Sequence, residues 1–358
     1  MTKLKEHKPS KMEALKAMTP ADRRRAIFDG IMNNAMFIII ALVIIYVAIK
    51  NPRFLSIPSL VNIISLTAAK LPIALGVGGC IILAGTDISA GRQVGLAACI
   101  SAGLQLTTNK LFPGLQIMPI PVVLLCVLVA CALVGFVNGF FMAKFKLHPF
   151  IVTLSTQLIV YGLVLLFMQL GTNGGQTLSG MSQTYRDFII KPLFTLKTSS
   201  GPVTVPRYVL YSTIITAIVW VIWNKTAFGK NMYAVGSNEE AANVSGVNVS
   251  KTIILVFVMA GMLYGITGFM DAARIASVNA TTGLNYEADA IAACVIGGIS
   301  FVGGIGKVSG AIIGVLLLQI IFAGLNFLSV DANYLYIVKG LIILIACSID
   351  MRKYLVRK

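Results

Sequence analysis

Residues Phe228 to Ser250 read FGKNMYAVGSNEEAANVSGVNVS, the longest polar run in the chain that has apolar helical segments on both sides. The flanking segments, Tyr208–Trp223 and Thr252–Met270, are each about long enough to cross a bilayer. Within the run, Asn238–Gly246 predicts a short helix with an Asn cap, an acidic first turn and a glycine stop. A short charged helix between two membrane spans can be bound by another protein. This stretch therefore predicts a docking element.

The composition around this stretch is that of a membrane protein. Hydrophobic residues make up 57% of the 358 residues and charged residues 12%, with a mean hydropathy of +0.87. A soluble domain carries about 25% charged residues. The sequence therefore predicts an all-α, polytopic membrane protein with about ten transmembrane helices and both termini cytoplasmic.

The net charge of +16 is explained by topology rather than by a nucleic-acid partner. In a ten-span arrangement the basic residues gather on the side that holds both termini, as the positive-inside rule requires, and no folded basic domain remains. The six cysteines lie in apolar runs without a CxxC pair, which favours packing over disulfide or zinc roles.

The predicted organisation is one transmembrane domain, 31–349, between two basic tails. Pro72 predicts a kink or a break in the second span, and eight spans are an alternative if the second and eighth segments are broken or re-entrant. The other predicted parts are a cytoplasmic basic tail (1–30), an external loop (171–206), a cytoplasmic loop (228–250) and a second cytoplasmic basic tail (350–358).

Ionisable groups predicted at or near membrane depth suggest either structural pairs or an ion pathway, because such groups are costly in lipid. A Lys–acid pair that fixes helix positions is the simpler interpretation. A self-sufficient secondary transporter that couples to ions through Asp87, Lys70 or Lys339 is the alternative. The groups concerned are Lys70, Asp87, Arg92, Glu287, Asp289 and Lys339.

Uncharged polar residues in the predicted spans suit a neutral solute that forms hydrogen bonds, although each could instead bond to a neighbouring helix backbone. Together with Asp87 they form the candidate translocation pathway, whose members are Thr86, Asp87, Ser89, Asn138, Gln157 and Asn326.

Glycines spaced by four residues predict close helix packing, within one chain rather than at a dimer interface. They include the pairs Gly135/Gly139 and Gly261/Gly265. A weak internal echo joins Leu83–Ala98 to Ile296–Ile312, each pairing a Gly-rich break with a small-residue helix. This echo is compatible with duplicated halves and with coincidence.

No catalytic or phosphate-binding motif is found in the sequence. Gly306-Lys307 is followed by Val308 rather than Ser or Thr, so it is not a P-loop, and neither HExxH nor GxSxG occurs. The sequence therefore predicts no enzyme activity, and no metal ion or cofactor in this chain.

Three motifs resemble the ribose-type branch of bacterial ABC sugar-import permeases: GTDISAGRQVG at Gly85–Gly95, FGKN and AVG followed by EAAxxSG between Phe228 and Gly246, and AACVIGGISF at Ala292–Phe301. The resemblance covers about residues 31–355. It departs from the familiar importer signature because no Leu-Pro follows Gly246 at the expected place.

The resemblance implies a permease subunit in the bacterial inner membrane that moves a monosaccharide, with galactose or methyl-galactoside expected before ribose, another sugar or a nucleoside. It implies cytoplasmic ATPase subunits that bind ATP and Mg, an extracytoplasmic sugar-binding protein and a second permease copy as partners. It also implies a coupling helix that docks on the ATPase, formed by Asn238, Glu239, Glu240, Ala241, Ala242, Ser245 and Gly246.

Overall fold

The structure, a computed structural model, describes residues 19, 35–112, 114–171, 173–198 and 201–355. Long apolar helices dominate it, as predicted. The helices are α1 Ala35–Lys50, α2 Ile57–Ile82, α3 Ala90–Gln105, α4 Ile120–Phe145, α5 Pro149–Met168, α6 Gln183–Ile190, α7 Arg207–Lys225, α8 Ala227–Ser237, α9 Glu239–Val244, α10 Val249–Ile275, α11 Tyr286–Ile296, α12 Val308–Phe327 and α13 Ala332–Leu355.

Six of these helices are long and apolar enough to cross a membrane: α2, α4, α5, α7, α10 and α12. Each of the ten predicted spans coincides with a helix, and three of those helices, α1, α3 and α11, are shorter than the 18 residues that this criterion requires. Helix α2 continues through Pro72, so of the predicted kink or break the structure excludes the break. Pro72 is buried against the other helices, and this packing outweighs the lost backbone hydrogen bond.

The predicted N-terminal tail lies almost entirely beyond the described residues. Of residues 1–30 only Thr19 is described. At the other end, the helical backbone of α13 continues to Leu355, into the segment 350–358 that was predicted as a tail.

The centre of the bundle is α10, which packs against α2, α3 and α4. Backbones approach closely between α4 and α10: a Cβ added to Gly135 would lie 2.2 Å from the Phe257 carbonyl oxygen, and one on Gly261 would lie 2.2 Å from the Cys131 carbonyl oxygen. Both predicted glycine pairs therefore lie at the interface of α4 and α10 within one chain, as expected for small residues where membrane helices pack.

The segment predicted as an external loop, 171–206, is largely ordered. Its strand β1 (Leu178–Ser179) pairs antiparallel with β4 (Ser277–Val278) at the end of α10. After α6, strands β2 (Pro192–Thr198) and β3 (Gly201–Pro206) form a hairpin. Tyr185 of α6 donates a hydrogen bond to the Phe269 carbonyl, so the segment is fastened to the central helix.

Candidate functional site

A buried polar cluster lies where α2 gives way to α3. The Ser89 hydroxyl donates to Asp87 Oδ1 at 2.5 Å and accepts from Gln93 Nε2 at 2.9 Å and from Asn138 Nδ2 at 3.1 Å. The Ser89 backbone amide also donates to Asp87 Oδ1, at 2.9 Å. All four side chains are completely buried. We call these four residues the Ser89 cluster.

The cluster owes its position to an interruption of the helical backbone. The chain leaves α2 through Ala84, whose φ of +57° is left-handed, and non-helical backbone then runs to the start of α3. Interrupted helices expose backbone polar groups inside a membrane protein and are common where a pathway is lined. The break brings Asp87 and Ser89 of the α2–α3 segment against Asn138 of α4.

The cluster is rich in acceptors that have no donor. Within the described part of the chain, Asp87 Oδ2, Gln93 Oε1 and Asn138 Oδ1 are buried atoms without a hydrogen-bond partner. Tyr264 of α10 is also fully buried beside the cluster, where its hydroxyl lies 3.9 Å from Cys80 Sγ and interacts with the Asp87 carboxyl. The Tyr264 hydroxyl and the Asn138 amide are the donors nearest the Asp87 carboxyl, whereas no described side chain donates to Gln93 Oε1 or Asn138 Oδ1.

Of the six residues predicted to form a pathway, the structure brings four together. Asp87, Ser89 and Asn138 are in the cluster, and the Thr86 carbonyl next to them accepts a hydrogen bond from Thr153 Oγ1 at 3.3 Å. Gln157 lies half-buried on α5 with its Oε1 unpaired. Asn326 is exposed near the end of α12, and no described hydrogen bond joins either of these two to the cluster.

The sequence reasoning missed Gln93 and Tyr264. Gln93 lies four positions after Ser89, which places both on one face of α3, and this spacing could have identified it. Tyr264 carries a weaker signal: it is a hydroxyl-bearing side chain in an apolar helix, between Gly261 and Gly265, which allow α4 to approach.

The ionisable groups at membrane depth form structural contacts. Lys339 of α13 pairs with Asp289 of α11 at 2.8 Å, both largely buried, which confirms the Lys–acid interpretation for this pair. The Lys70 ammonium of α2 lies over the Tyr286 ring of α11. The sequence reasoning did not single out Asp271 of α10, which is buried and bonded to Arg274.

Arg92 does not pair with Asp87, although both flank the same break. Its guanidinium donates to the Ala280 carbonyl oxygen at 3.1 Å and lies 4.1 Å from the centre of the Tyr161 ring. Glu287 of α11 is buried nearby, with its Oε2 in the space that a side chain at Gly91 would occupy.

The predicted docking helix is present as α9. Asn238 Oδ1 accepts from the Ala241 amide at 2.9 Å, which makes it the N-cap, and Glu239 and Glu240 form the acidic first turn. The helix is followed by Gly246 at a left-handed φ of +84°. Of its six residues only Ala242 is buried, and the apolar side chain of Val244 is 90% exposed.

A second helix, α8, which the sequence reasoning did not predict, precedes α9 and fastens it to the bundle. A Cβ added to Gly236 would lie 1.8 Å from the Ile82 carbonyl oxygen at the end of α2, and the Gly304 amide donates to that same oxygen at 2.8 Å. Tyr233 Oη donates to the Gly306 carbonyl oxygen at 3.0 Å. We call this meeting of α8 with Ile82 and the 303–306 turn the glycine junction.

The glycine junction joins the two stretches that echo each other in sequence, Leu83–Ala98 and Ile296–Ile312. The non-helical part of each stretch lies at the junction, where Gly303 meets Ala84, and the C-terminal end of α8 contacts both. Two residues, Ser237 and Asn238, therefore separate the docking helix α9 from Gly236, which contacts the last residue of α2 just before the break that carries the Ser89 cluster.

Two clefts open beside α9. One, of about 500 Å³, is lined by Lys146 and by Asn238, Glu239, Glu240 and Asn243. The other, of about 470 Å³, extends from His148 and Asn238 to Met142 and Phe257. Both Met142 and Phe257 lie in van der Waals range of a side chain placed at Gly85, so this cleft ends at the break that carries the cluster.

The described helices form an apolar bundle with a buried polar cluster at the connection between α2 and α3 and with the exposed, capped helix α9 on its surface. Residues 59–347 match the family described as the branched-chain amino acid transport system permease component. The chain belongs to this family. The prediction of a multi-pass permease of the bacterial inner membrane is confirmed at this level.

Relatives match over nearly the whole chain. The galactose/methyl galactoside import permease protein MglC of Haemophilus influenzae is 41% identical, over 92% of this chain and 97% of its own length. Its Escherichia coli namesake is 38% identical over 94% and 98%, and the ribose import permease protein RbsC of Haemophilus influenzae is 33% identical over 89% and 93%. The predicted resemblance to sugar-import permeases is confirmed. No solved structure matches the chain.

Proposed function

We propose that this chain is the transmembrane permease subunit of an ATP-binding-cassette importer for a monosaccharide, with galactose or methyl galactoside as the substrate. The observation that carries the proposal is the 41% identity to a galactose/methyl galactoside import permease over nearly the full length of both chains, against 33% for a ribose import permease. Transport proceeds by alternating access, and a separate ATPase that binds ATP and Mg drives it.

The coupling surface is α9 with its cap and stop, residues Asn238, Glu239, Glu240, Ala241, Ala242, Ser245 and Gly246. The exposure of all but Ala242 supports this role, because an ordered polar helix with an exposed Val244 at its end is suited to a partner groove. The glycine junction gives a route from α9 to the membrane breaks, since α8 contacts Ile82 and Gly304 through backbone atoms.

The translocation pathway passes the Ser89 cluster when the bundle opens. Support comes from the chemistry of the cluster: the unpaired oxygens of Asp87, Gln93 and Asn138 accept hydrogen bonds, and a sugar presents several hydroxyl donors. In the conformation described, these oxygens are buried, so the pathway is closed at this level.

We further propose ten spans with both termini cytoplasmic, a homodimer of permeases, two ATPase subunits and an extracytoplasmic sugar-binding protein. The exposed apolar faces of the long helices fit contact with lipid and with a second copy. The even number of helical segments that match the predicted spans supports termini on the same side.

Uptake of labelled galactose, ribose and a nucleoside, in cells with and without this gene and with and without ATP, tests the proposal. We expect deletion to abolish ATP-dependent galactose uptake alone. Loss of ribose or nucleoside uptake instead would keep the importer and replace the substrate. Uptake that survives ATP depletion and collapses with an ionophore would show a secondary transporter.

A further inference from the structure

Asp87 is a buried acid without a described cation to balance it. Its side chain is 0% exposed, and the ion pairs among the described residues, Lys146–Glu239, Arg274–Asp271 and Lys339–Asp289, do not include it. A lone carboxylate in a low-dielectric interior is very costly, and such a group either acquires a cation or becomes neutral. Arg92, five positions along the chain, is held by Ala280 and Tyr161 instead.

The hydrogen bonds of the Ser89 cluster leave it short of a donor. The Ser89 hydroxyl proton is already used on Asp87 Oδ1, and the amide groups of Gln93 and Asn138 both donate to Ser89 Oγ. The side-chain oxygens that remain unpaired, Asp87 Oδ2, Gln93 Oε1 and Asn138 Oδ1, are all acceptors. Any two of them repel when they approach, and one additional hydrogen would turn an acceptor into a donor.

We propose that the Ser89 cluster is a proton-binding site and that Asp87 is a neutral carboxylic acid in this conformation. The added proton resides on Oδ2, opposite the oxygen that Ser89 already contacts. It removes the buried charge and turns one of the unpaired acceptors of the cluster into a donor. Opening of the cluster to water allows the same proton to leave, because the ionised form is then hydrated.

The titratable groups around Asp87 do not replace this proton. From α2 comes Cys80 and from α10 Tyr264, both completely buried and both uncharged in their ordinary forms. From α11 comes Glu287, an acid that would add negative charge rather than balance it. From α3 comes Arg92, whose guanidinium contacts Ala280 and Tyr161 rather than Asp87. From α4 comes the uncharged Asn138.

Infrared spectroscopy of the full-length permease in lipid nanodiscs at neutral pH tests the proposal without any transported sugar. The wild type should show a carbonyl stretch of a protonated carboxylic acid. Labelling of aspartate side chains with ¹³C should shift that band, which separates it from Glu287. Asp87→Asn should remove the band, whereas the matched variant Asp289→Asn, in the acid that pairs with Lys339, should leave it.

Tyr264→Phe provides an independent assignment if Asp87→Asn does not fold. This variant should keep the acid band and shift its frequency, because the Tyr264 hydroxyl interacts with the Asp87 carboxyl. The proposal is overturned if the wild type lacks a ¹³C-sensitive acid band or if that band survives Asp87→Asn. It is also overturned if the spectrum shows Asp87 as an ionised carboxylate with a bound sodium ion.

Discussion

Ser89 holds the buried cluster together, because its hydroxyl takes part in three side-chain hydrogen bonds. Ser89→Ala removes the acceptor of two buried amides and the donor to Asp87, and each buried group left unpaired costs about 1–3 kcal/mol. We expect a loss of at least about 2 kcal/mol in the free energy of unfolding, measured in detergent by denaturant titration.

Ser155→Ala is the matched control for this substitution. Ser155 is exposed and bonds only to the Ile151 carbonyl of its own helix, at 2.9 Å, so its loss should change stability by no more than about 0.5 kcal/mol. Equal effects of the two substitutions would contradict the role given to Ser89.

The pair Lys339–Asp289 is a second contact at the scale of single residues. The two side chains are 21% and 13% exposed and join α13 to α11. Removing one partner of a buried pair leaves the other charge uncompensated, which costs about 3–5 kcal/mol. Lys339→Met should therefore lower the thermal unfolding midpoint markedly.

Lys146→Met serves as the comparison for this pair, because Lys146 and Glu239 are 81% and 52% exposed at 3.6 Å. Exposed pairs contribute about 0–1 kcal/mol. The double variant Lys339→Met/Asp289→Leu should recover part of the stability lost in Lys339→Met. A failure to recover would mean that the pair acts through something other than charge.

At the scale of elements, the contact of α8 with the membrane breaks depends on Gly236. An alanine there would place its Cβ 1.8 Å from the Ile82 carbonyl oxygen, so α8 has to move away from α2. We expect Gly236→Ala to reduce sugar uptake at least about tenfold, because a misplaced α8 no longer carries the motion of α9; tenfold corresponds to about 1.4 kcal/mol. The measurement is uptake per molecule of permease in the membrane.

Gly162→Ala is the control for a glycine in a helix, because no atom lies within 4 Å of the added Cβ. Alanine is the better helix former, so this variant should transport normally. Normal uptake by Gly236→Ala at normal expression would exclude the glycine junction as a transmission element.

Local patterns in the sequence were sufficient to predict several elements. The Asn238 cap, the acidic turn and the stop at Gly246 are short-range features, and all three are present in α9. The glycine pairs of α4 and α10 were predicted to pack within the chain and do so. Helix α8 was missed because its buried face, which includes Met232 and Val235, is interrupted by polar residues and is defined by contacts with α7, α10, α2 and the 303–306 turn.

The candidate site was predicted only in part because it is assembled from distant segments. Asp87 and Ser89 share one motif, but Asn138 reaches them from α4 and Tyr264 from α10, and no spacing rule links such positions. Gln157 and Asn326 have suitable polarity, yet Gln157 lies half-buried in the middle of α5 and Asn326 lies exposed at the end of α12, and no described hydrogen bond joins them to the cluster. Polarity identifies candidates, and only the packing of helices selects among them.

At the scale of the whole molecule, the chain combines a rigid interior with one polar helix on its surface. The central helix α10 begins at Val249, after its N-cap Asn248, and four residues separate it from the end of α9; it packs against α2, α3 and α4, which frame the Ser89 cluster. A force applied to α9 therefore reaches the cluster by two connections, through α10 along the chain and through α8 at the glycine junction. Interfaces packed this closely move between discrete arrangements rather than deform continuously.

Glu240→Lys tests whether that force comes from a partner protein. Glu240 is exposed on the first turn of α9 and lines the 500 Å³ cleft, so its reversal should not disturb folding. Loss of a charged contact in a protein interface costs about 2–5 kcal/mol, which predicts a fall in ATP-driven uptake of at least about tenfold with normal expression and normal thermal stability. Reversal of another exposed acid, Asp331→Lys between α12 and α13, should leave uptake unchanged. If Glu240→Lys transports as well as Asp331→Lys, α9 is not the surface that the ATPase holds, and the sequence between Phe228 and Ser250 needs another partner.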